Sequence, residues 1–401
     1  MALLCGFISE RNRANDRGLG LRKKSLNGAP LMRIHFLLPG LHRVHRGAEV
    51  AFESIATEIA KLGLDEVTLV GSGHPIPGRP YQFRHSGLIP RERFERFPRF
   101  APFRSEYNCE EATWVLNYIP RYRPIDADVT VTCSYPFVNW MLTRWPPFGR
   151  KPAHVFVTQN GDWPAYSDKS EFAHFYCDGL VCINPDYYER NKARWPSVLI
   201  PNGIDPAKFS PGASARARFG LPEAGPVVLM VSALVESKRV LEGLRAVARI
   251  PGAYLIVAGD GPLRDKFDSL GNQLMPGRFR RMTLPLDQMP DLYRSADVML
   301  HPTFHESFGN VYAEALAIGV PVVAHDYPVT RWIFGDDYPG LVDATDEVAV
   351  SATIIRALQE GRPDALGRAK NAAVRFSWKS IGQQYRDFLA AIYENHSEAR
   401  P

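Results

Sequence analysis

The chain has 401 residues, of which 45% are hydrophobic and 23% are charged, and its formal net charge is +5. A chain of this length and composition can bury two ordinary cores, so we expect two or three domains. The small positive charge gives no reason to expect a nucleic-acid partner, whereas a phosphorylated substrate or an anionic membrane would suit it.

The cysteines and the hydropathy pattern bear on where the protein works. Five cysteines include no Cys-x-x-Cys pair, which favours a reduced, cytoplasmic setting and argues against a metal site. No segment reaches the eighteen or so uninterrupted apolar residues that a membrane span needs. We therefore expect a cytoplasmic protein that is soluble or peripheral at the inner face of a membrane.

The first thirty residues carry no periodic pattern. A short apolar run, Met1 to Ile8, is followed at once by charged residues without a small-residue cleavage site, which argues against a secretion signal. We expect residues 1–30 to be a disordered extension, or translation to start at Met32, just before the first core strand.

Apolar β-rich runs then alternate with helical patterns in two series, which is typical of parallel sheets built from βαβ units. In the first series we predict a helix at Gly47–Leu62 and strands at Ile34–Leu38, Val67–Val70, Val129–Thr132, His154–Thr158 and Gly179–Ile183. In the second series we predict strands at Val227–Val231, Tyr254–Ala258, Arg281–Leu284, Val298–His301 and Pro321–Ala324.

The two series predict two doubly wound α/β domains. Residues 201–212 contain three prolines and two glycines that break every period, so this segment reads as a linker. The domains would span residues 31–200 and 213–376, and a terminal helix is predicted within residues 377–396.

The stretch from His301 to Ala324 places two carboxylates, Glu306 and Glu314, around the start of a predicted helix, Val311–Ile318. N–H groups in a first helical turn lack internal partners and carry partial positive charge, so they accommodate a phosphate, and Gly309 lets it approach closely. A carboxylate can accept hydrogen bonds from two vicinal hydroxyls, which suits one glutamate to a ribose and the other to a hexose. The pattern indicates a nucleotide-sugar site, although a solvated glutamate on an ordinary helix before a buried strand would also produce it.

This stretch resembles the Glu-x7-Glu signature of family 4 of the retaining glycosyltransferases. Glu306 and Glu314 match the two Glu positions, and Phe308, Gly309 and the Ala-x-Gly-x-Pro-Val-Val tail match as well. The Pro-Asn-Gly-x-Asp phrase of the linker is similar to the family's domain connection. The resemblance implies a GT-B fold, in which two Rossmann-like domains face each other across a cleft and a terminal helix crosses back to the first.

The resemblance also implies roles for residues of the second half. Glu306 would contact the donor sugar, Lys238 would stabilise the departing diphosphate as the second catalytic residue, and Glu314 would bind the ribose. Arg239 is expected to compensate for an arginine that many relatives carry where this chain has Ala233. Further donor-binding residues would be Gly261, Met282, Phe308, Gly309, Asn310 and Val311. Lys238 could instead be an ordinary solvated lysine in a loop. Gly261 could instead serve only to form a tight βα turn.

In the first half, Gly47 matches the second glycine of the family's Gly-Gly-x-Glu loop, which implies that it binds the donor, and Arg46 replaces the first. The loop is therefore more cationic than in relatives, and Arg46 is a candidate sugar or acceptor contact. Asn160 and Asp162 are candidates to hydrogen-bond sugar hydroxyls, although a capped turn explains them as well. The basic residues of the same loop could bind an anionic acceptor or form an exposed basic surface: His42, Arg43 and His45.

Arginine and phenylalanine alternate between Arg91 and Arg104. Such a segment could dock on an anionic membrane, where lipid-linked acceptors reside. Pro98 and Pro102 exclude a continuous amphipathic helix, which favours a loop whose phenylalanines pack internally.

Together these features predict a retaining glycosyltransferase that transfers a hexosyl unit from a nucleoside diphosphate sugar to a carbohydrate or lipid-linked acceptor, in polysaccharide or glycoconjugate biosynthesis. No cofactor is expected. No metal is expected either, because Asp126 and Asp128 precede a strand and fit a helix-to-strand turn better than a metal-binding pair. Two alternatives stay open: a noncatalytic sugar-nucleotide-binding subunit, and a GT-B phosphorylase or epimerase.

Overall fold

The structure is a computed structural model that describes residues 32–362 and 364–398. The expectation for residues 1–30 lies outside the described residues. The strands are β1 (Arg33–Leu37), β2 (Glu66–Gly71), β3 (Gln82–His85), β4 (Val129–Thr132), β5 (Ala153–Val157), β6 (Gly179–Cys182), β7 (Ser197–Leu199), β8 (Val227–Val231), β9 (Tyr254–Ala258), β10 (Phe279–Met282), β11 (Val298–His301), β12 (Val322–His325) and β13 (Leu341–Val342).

Most strands are followed by a helix, except β2 and β7, and three helices follow β13. The helices are α1 (Gly47–Lys61), α2 (Glu106–Tyr118), α3 (Phe137–Arg144), α4 (Trp163–Tyr166), α5 (Pro185–Asn191), α6 (Val240–Ala248), α7 (Arg264–Leu274), α8 (Met289–Ser295), α9 (Asn310–Ile318), α10 (Pro328–Phe334), α11 (Glu347–Glu360), α12 (Ala365–Phe376) and α13 (Trp378–Glu398). Among the described residues, no helix is long and apolar enough to span a bilayer.

The strands form two parallel sheets. The first has the order β3-β2-β1-β4-β5-β6-β7 and the second the order β10-β9-β8-β11-β12-β13. In each sheet the strand order reverses beside the first strand, at β1/β4 and at β8/β11. Loops leave the sheet in opposite directions at such a point and open a crevice at the carboxyl ends of the strands. We call each sheet with its helices the first and the second lobe.

The central strands are buried on both faces because helices cover both sides of each sheet. All residues of β4 are buried, as are four of the five in β8. Their valine-rich sequences suit this environment, because β-branched side chains pack well on a pleated surface that is covered on both sides.

The predicted strands are present, and β10 lies two residues earlier than its predicted position. Three strands were missed: β3, β7 and β13. β3 and β7 end the first sheet and β13 ends the second. Their residues are half-buried or exposed, so they lack the apolar run that marks a buried strand.

The terminal helix α13 packs against α1 of the first lobe. A Cβ on Gly382 would lie 2.6 Å from the Cβ of Glu58, so glycine is needed for this close approach. Arg386 of α13 donates to the buried Asp65 at 3.0 Å. The chain therefore returns to its first lobe after completing the second.

Candidate active site

A large cavity of about 700 Å³ lies at the carboxyl ends of the first sheet. Its first-lobe wall consists of residues that follow β1, β4, β5, β6 and β7, together with the start of α1 and of α2. The opposite wall is the second-lobe segment from Glu306 to Val311. The cavity thus lies between the lobes, where doubly wound folds usually bind ligands.

A small cavity of about 350 Å³ adjoins it within the second lobe. It is lined by residues that follow β8 and β9 and by Lys238 and His301. Glu306 and Val311 line both cavities. A ligand that extends from one cavity to the other would therefore pass Glu306.

Glu306 is held from three sides. Its Oε1 accepts hydrogen bonds from Lys238 Nζ and from His301 Nε2, the latter at 2.9 Å, and its N–H donates to the Tyr327 hydroxyl at 3.0 Å. Burial alone would raise the pKa of Glu306, but the hydrogen bond from His301 and the charge of Lys238 outweigh it, and the pKa is lowered. The carboxylate is therefore an oriented anion.

The start of α9 faces the large cavity. Gly309 precedes the helix with φ +77°, a left-handed conformation that glycine adopts at little cost. The N–H groups of residues 308–311 have no backbone acceptor within the described part of the chain. Phe308, Gly309, Asn310 and Val311 line the cavity, so these donors and the helix dipole are available to an anion. Their role in donor binding stays a prediction.

Glu314 lies one turn further along α9, and it lines neither cavity. Its Oε2 accepts a hydrogen bond of 2.7 Å from the Tyr293 hydroxyl. Burial raises the pKa of Glu314 above its ordinary value, against the lowering effect of that hydrogen bond. Its role as a ribose ligand stays a prediction.

Three other expected donor-binding residues lie around the small cavity but do not line it. The Arg239 guanidinium stacks 4.0 Å from the Phe304 ring centroid and donates to the carbonyl of Ala344. Gly261 has φ +159°, and a Cβ there would lie 2.6 Å from the Leu234 carbonyl oxygen, so the turn needs glycine for its own packing. Met282 contributes its carbonyl to Gly259 N–H.

The first-lobe candidates divide into two groups. Arg46, Gly47 and Asn160 line the large cavity. Asp162 does not: its buried carboxylate accepts hydrogen bonds from Arg190 at 2.9 and 3.1 Å and from Asn191 at 2.9 Å. Asp162 precedes α4 but makes no side-chain capping hydrogen bond, so its carboxylate is used by Arg190 and Asn191 rather than in the capped turn considered above.

Other polar candidates are also engaged inside the fold. His42 bonds to the His74 carbonyl and the Tyr81 hydroxyl, and Arg43 donates to Ser72 and Glu110. The two aspartates before β4 pair with arginines, Asp128 with Arg33 and Asp126 with Arg84.

Sequence reasoning missed His301 and Tyr327 as neighbours of Glu306. His301 is buried at the end of β11, and Tyr327 caps α10. A histidine within an otherwise apolar strand, five residues before Glu306, is a signal that could have indicated the first. No local signal links Tyr327 to Glu306, because the two are joined only by the packing of α10 beside the loop.

Comparison with known proteins agrees with this geometry. Residues 213–375 match the family described as "Glycosyl transferases group 1". The lipopolysaccharide core biosynthesis glycosyltransferase LpsE of Rhizobium meliloti is 31% identical over 243 residues, which are 59% of this chain and 69% of the relative. A D-inositol 3-phosphate glycosyltransferase of Mycolicibacterium smegmatis is 36% identical over 194 residues, 45% of this chain and 44% of the relative.

Solved structures show the same fold. Sucrose-phosphate synthase from Thermosynechococcus elongatus superposes with a TM-score of 0.73 at 20% identity, covering 90% of this chain and 99% of that one. Anabaena HepE in complex with UDP and glucose gives 0.67 at 18% identity, covering 90% and 100%. With its two facing parallel sheets, the protein has the GT-B fold. The chain belongs to the group 1 glycosyltransferases, family 4 of the retaining enzymes, and is a glycosyltransferase that uses nucleotide sugars.

Proposed function

We propose that the enzyme transfers a hexosyl unit, with retention of configuration, from a nucleoside diphosphate sugar bound by the second lobe to a carbohydrate or lipid-linked acceptor bound by the first. In this proposal the domains are residues 31–200 and 213–376, residues 201–212 are the linker between them, and the terminal helix within residues 377–396 crosses back to the first domain. Glu306 carries the proposal, since it is an oriented carboxylate at the wall shared by the two cavities.

The geometry supports a division of labour at this wall. The unpaired N–H groups at the start of α9 and the Lys238 ammonium would stabilise the negative charge that develops on the departing diphosphate. Glu306 would accept hydrogen bonds from hydroxyls of the donor sugar and hold its reactive carbon toward the large cavity. Closing the lobes around both substrates would exclude water, so that transfer outpaces hydrolysis.

The test is nucleoside diphosphate release from a panel of sugar nucleotides, with and without cell extract as the acceptor source. We expect one donor to be turned over, and Glu306→Gln to lower kcat on the order of 100-fold, because the amide keeps the shape but removes the charge that orients Lys238 and His301. Glu360→Gln, at an exposed position on α11, is the matched control.

Two results would contradict the proposal. Release from none of the donors would favour a noncatalytic subunit, and release that requires inorganic phosphate would favour a phosphorylase. If the Glu306→Gln enzyme were as active as the Glu360→Gln control, Glu306 would have no role in the reaction.

We also propose that the protein works in the cytoplasm and touches the membrane through the segment from Arg91 to Arg104. After a 3₁₀ turn at Arg91–Phe94, its phenylalanines pack on one another at centroid distances of 5.5–6.3 Å. This loop matches the internal packing favoured by its prolines. Phe97 and Phe100 nevertheless stay 45% and 51% exposed, among arginines that would face anionic lipid.

Flotation with vesicles of phosphatidylcholine and 20–30% phosphatidylglycerol tests this contact. Arg93 and Arg96 are both exposed and have no ion pair within the described chain, so Arg93→Glu with Arg96→Glu reverses charge without breaking a buried pair. We expect it to abolish flotation, while Lys266→Glu with Lys370→Glu in the second lobe leaves it intact. Equal flotation of both double variants would show that the segment from Arg91 to Arg104 does not contact the membrane.

A further inference from the structure

We infer that the acceptor carries an anionic group, a phosphate or a carboxylate, and that Arg46 binds this group at the large cavity beside Arg91 and Arg104. The inference rests on the proposed function, since it assigns the acceptor to the first-lobe wall. It narrows the acceptor from any carbohydrate to an acidic one.

Three separate elements bring arginines to this wall. Arg46 precedes α1, Arg91 opens a 3₁₀ turn, and Arg104 precedes α2, and all three line the large cavity. None of them lines the small cavity, where Lys238 lies. The structure therefore provides a second cationic region, distinct from the one proposed for the donor diphosphate.

The buried carboxylates nearby do not neutralise these arginines. Glu110 accepts hydrogen bonds from Arg43 and from Arg91, each at 2.8 Å, so one carboxylate serves two guanidinium groups. Burial would raise the pKa of Glu110, but Arg91 and Arg43 outweigh it and lower the pKa, which keeps this single charge in place. Arg43, Arg91 and Glu110 together therefore carry one net positive charge, and of the two arginines Arg91 lines the cavity.

The other charged groups of this wall also leave more guanidinium groups than carboxylates. Arg104 is matched one to one by Glu171. Glu49 is buried in the same wall, where burial raises its pKa and the charges of Arg46 and Arg91 oppose that rise. Four guanidinium groups therefore share three carboxylates: Arg43, Arg46, Arg91 and Arg104 with Glu49, Glu110 and Glu171. Arg46 is exposed and makes no ion pair within the described chain. A surplus of guanidinium groups in a partly enclosed cavity favours an anion, because charge-assisted, bidentate hydrogen bonds are strongest away from bulk water.

Arg46 is also the residue that can be changed most cleanly. It is the N-cap residue of α1 but makes no side-chain capping hydrogen bond, so truncating it removes no buried contact. Removing Arg91 would instead take one of two cations from the buried Glu110, and removing Arg104 would leave the buried Glu171 without its cation. Arg121, an exposed arginine of the same lobe that does not line the cavity, is the matched control.

The experiment is a calorimetric titration of protein saturated with the nucleoside diphosphate that the donor screen identifies, at constant ionic strength. The probes are glucose 6-phosphate and glucuronate, with glucose as their neutral counterpart. We expect at least one anion to bind about tenfold or more tightly than glucose, the size of one charge-assisted hydrogen bond. Arg46→Ala should reduce this preference to about twofold, Arg46→Lys should retain part of it, and Arg121→Ala should keep it.

Three results would overturn the inference: wild-type protein that binds neither anion better than glucose, an Arg46→Ala protein that keeps the preference, or an Arg46→Ala protein whose affinity for the nucleoside diphosphate falls tenfold or more. The last would place Arg46 at the donor. Failure of the proposed function is seen separately, in the first step, as wild-type protein that binds no nucleoside diphosphate, and the inference then falls with it.

Discussion

The two glutamates of the Glu-x7-Glu stretch lie in opposite electrostatic environments. The pKa of Glu306 is lowered because His301 and Lys238 outweigh its burial. Burial raises the pKa of Glu314, which accepts a hydrogen bond from the Tyr293 hydroxyl. A carboxylate that stays ionised can accept hydrogen bonds from sugar hydroxyls and orient a lysine. Glu314 would gain most from a ligand that donates hydrogen bonds to it, as ribose hydroxyls do.

A third carboxyl group, Glu111 on α2, gives a prediction at the residue scale. It is fully buried, its Oε1 accepts the Val138 N–H at 2.9 Å, and burial raises its pKa from 4.5 to about 8 despite backbone hydrogen bonds that oppose the shift. Because the folded-state pKa is above the unfolded one, the contribution to stability is fully present below about pH 4.5 and is lost as the pH rises toward 8.

We expect Glu111→Gln to remove that loss, since an amide does not ionise. Relative to wild type, the free energy of unfolding of the variant should therefore rise between pH 5 and pH 8, on the order of 3 kcal/mol. Urea denaturation across this pH range measures it. Glu92→Gln, at an exposed position, should follow the wild-type curve, and parallel curves for all three proteins would contradict the prediction.

At the scale of elements, the start of α9 depends on a single backbone conformation. Gly309 has φ +77°, and a Cβ there would lie 2.5 Å from the ring of Tyr312, which is itself buried. An L-residue would be strained by its backbone angle and would also have to displace that ring. The N–H groups of residues 308–311 would move with it.

We predict that Gly309→Ala destabilises the protein by about 1–2 kcal/mol and weakens nucleoside diphosphate binding by tenfold or more, because an anion would lose aligned N–H donors. Gly361→Ala is the control: φ is +69° there, but a Cβ would meet nothing within 4 Å. It should cost similar stability without affecting binding. Thermal unfolding and calorimetry measure the two effects, and equal nucleotide affinity of both variants would count against a phosphate site at α9.

At the scale of the whole molecule, the last helix ties the end of the chain to its beginning. Arg386 of α13 donates to Asp65, whose carboxylate side chain is fully buried and also accepts the Met32 N–H at 3.1 Å. The linker also contacts the start of α13. The N–H of Ile204 donates to the Phe376 carbonyl, and the N–H of Trp378 donates to the carbonyl of Ile204. The relative position of the lobes therefore depends on residues near the end of the chain.

We expect Arg386→Ala to lower the free energy of unfolding by about 3–5 kcal/mol, because it leaves the Asp65 carboxylate buried without its cation. Asp387→Ala, one residue along and mostly exposed, should change it by less than about 0.5 kcal/mol. Urea denaturation followed by tryptophan fluorescence measures both. A loss below about 1 kcal/mol for Arg386→Ala would show that Asp65 is satisfied by other groups.

Local patterns were sufficient for the fold class and for half of the site. The alternation of buried strands with helices, the glycine before α9 and the spacing of Glu306 and Glu314 are properties of short segments. The sequence alone therefore determined the two parallel sheets and the helix start whose N–H groups face the large cavity. The edge strands β3, β7 and β13 were not predicted, because each depends on one neighbouring strand and has no apolar run of its own.

Only the tertiary structure decided which side chains meet. Lys238 and Glu306 are 68 residues apart, Arg239 turns to Phe304 instead of the cavity, and Asp162 is engaged by Arg190. The arginines of the first-lobe wall come from three elements whose sequence separation carries no sign of their proximity. The physical reason is that ion pairs and shared cavities depend on distance through space, which the packing of the lobes sets, whereas helices, turns and strand periodicity depend on neighbours along the chain.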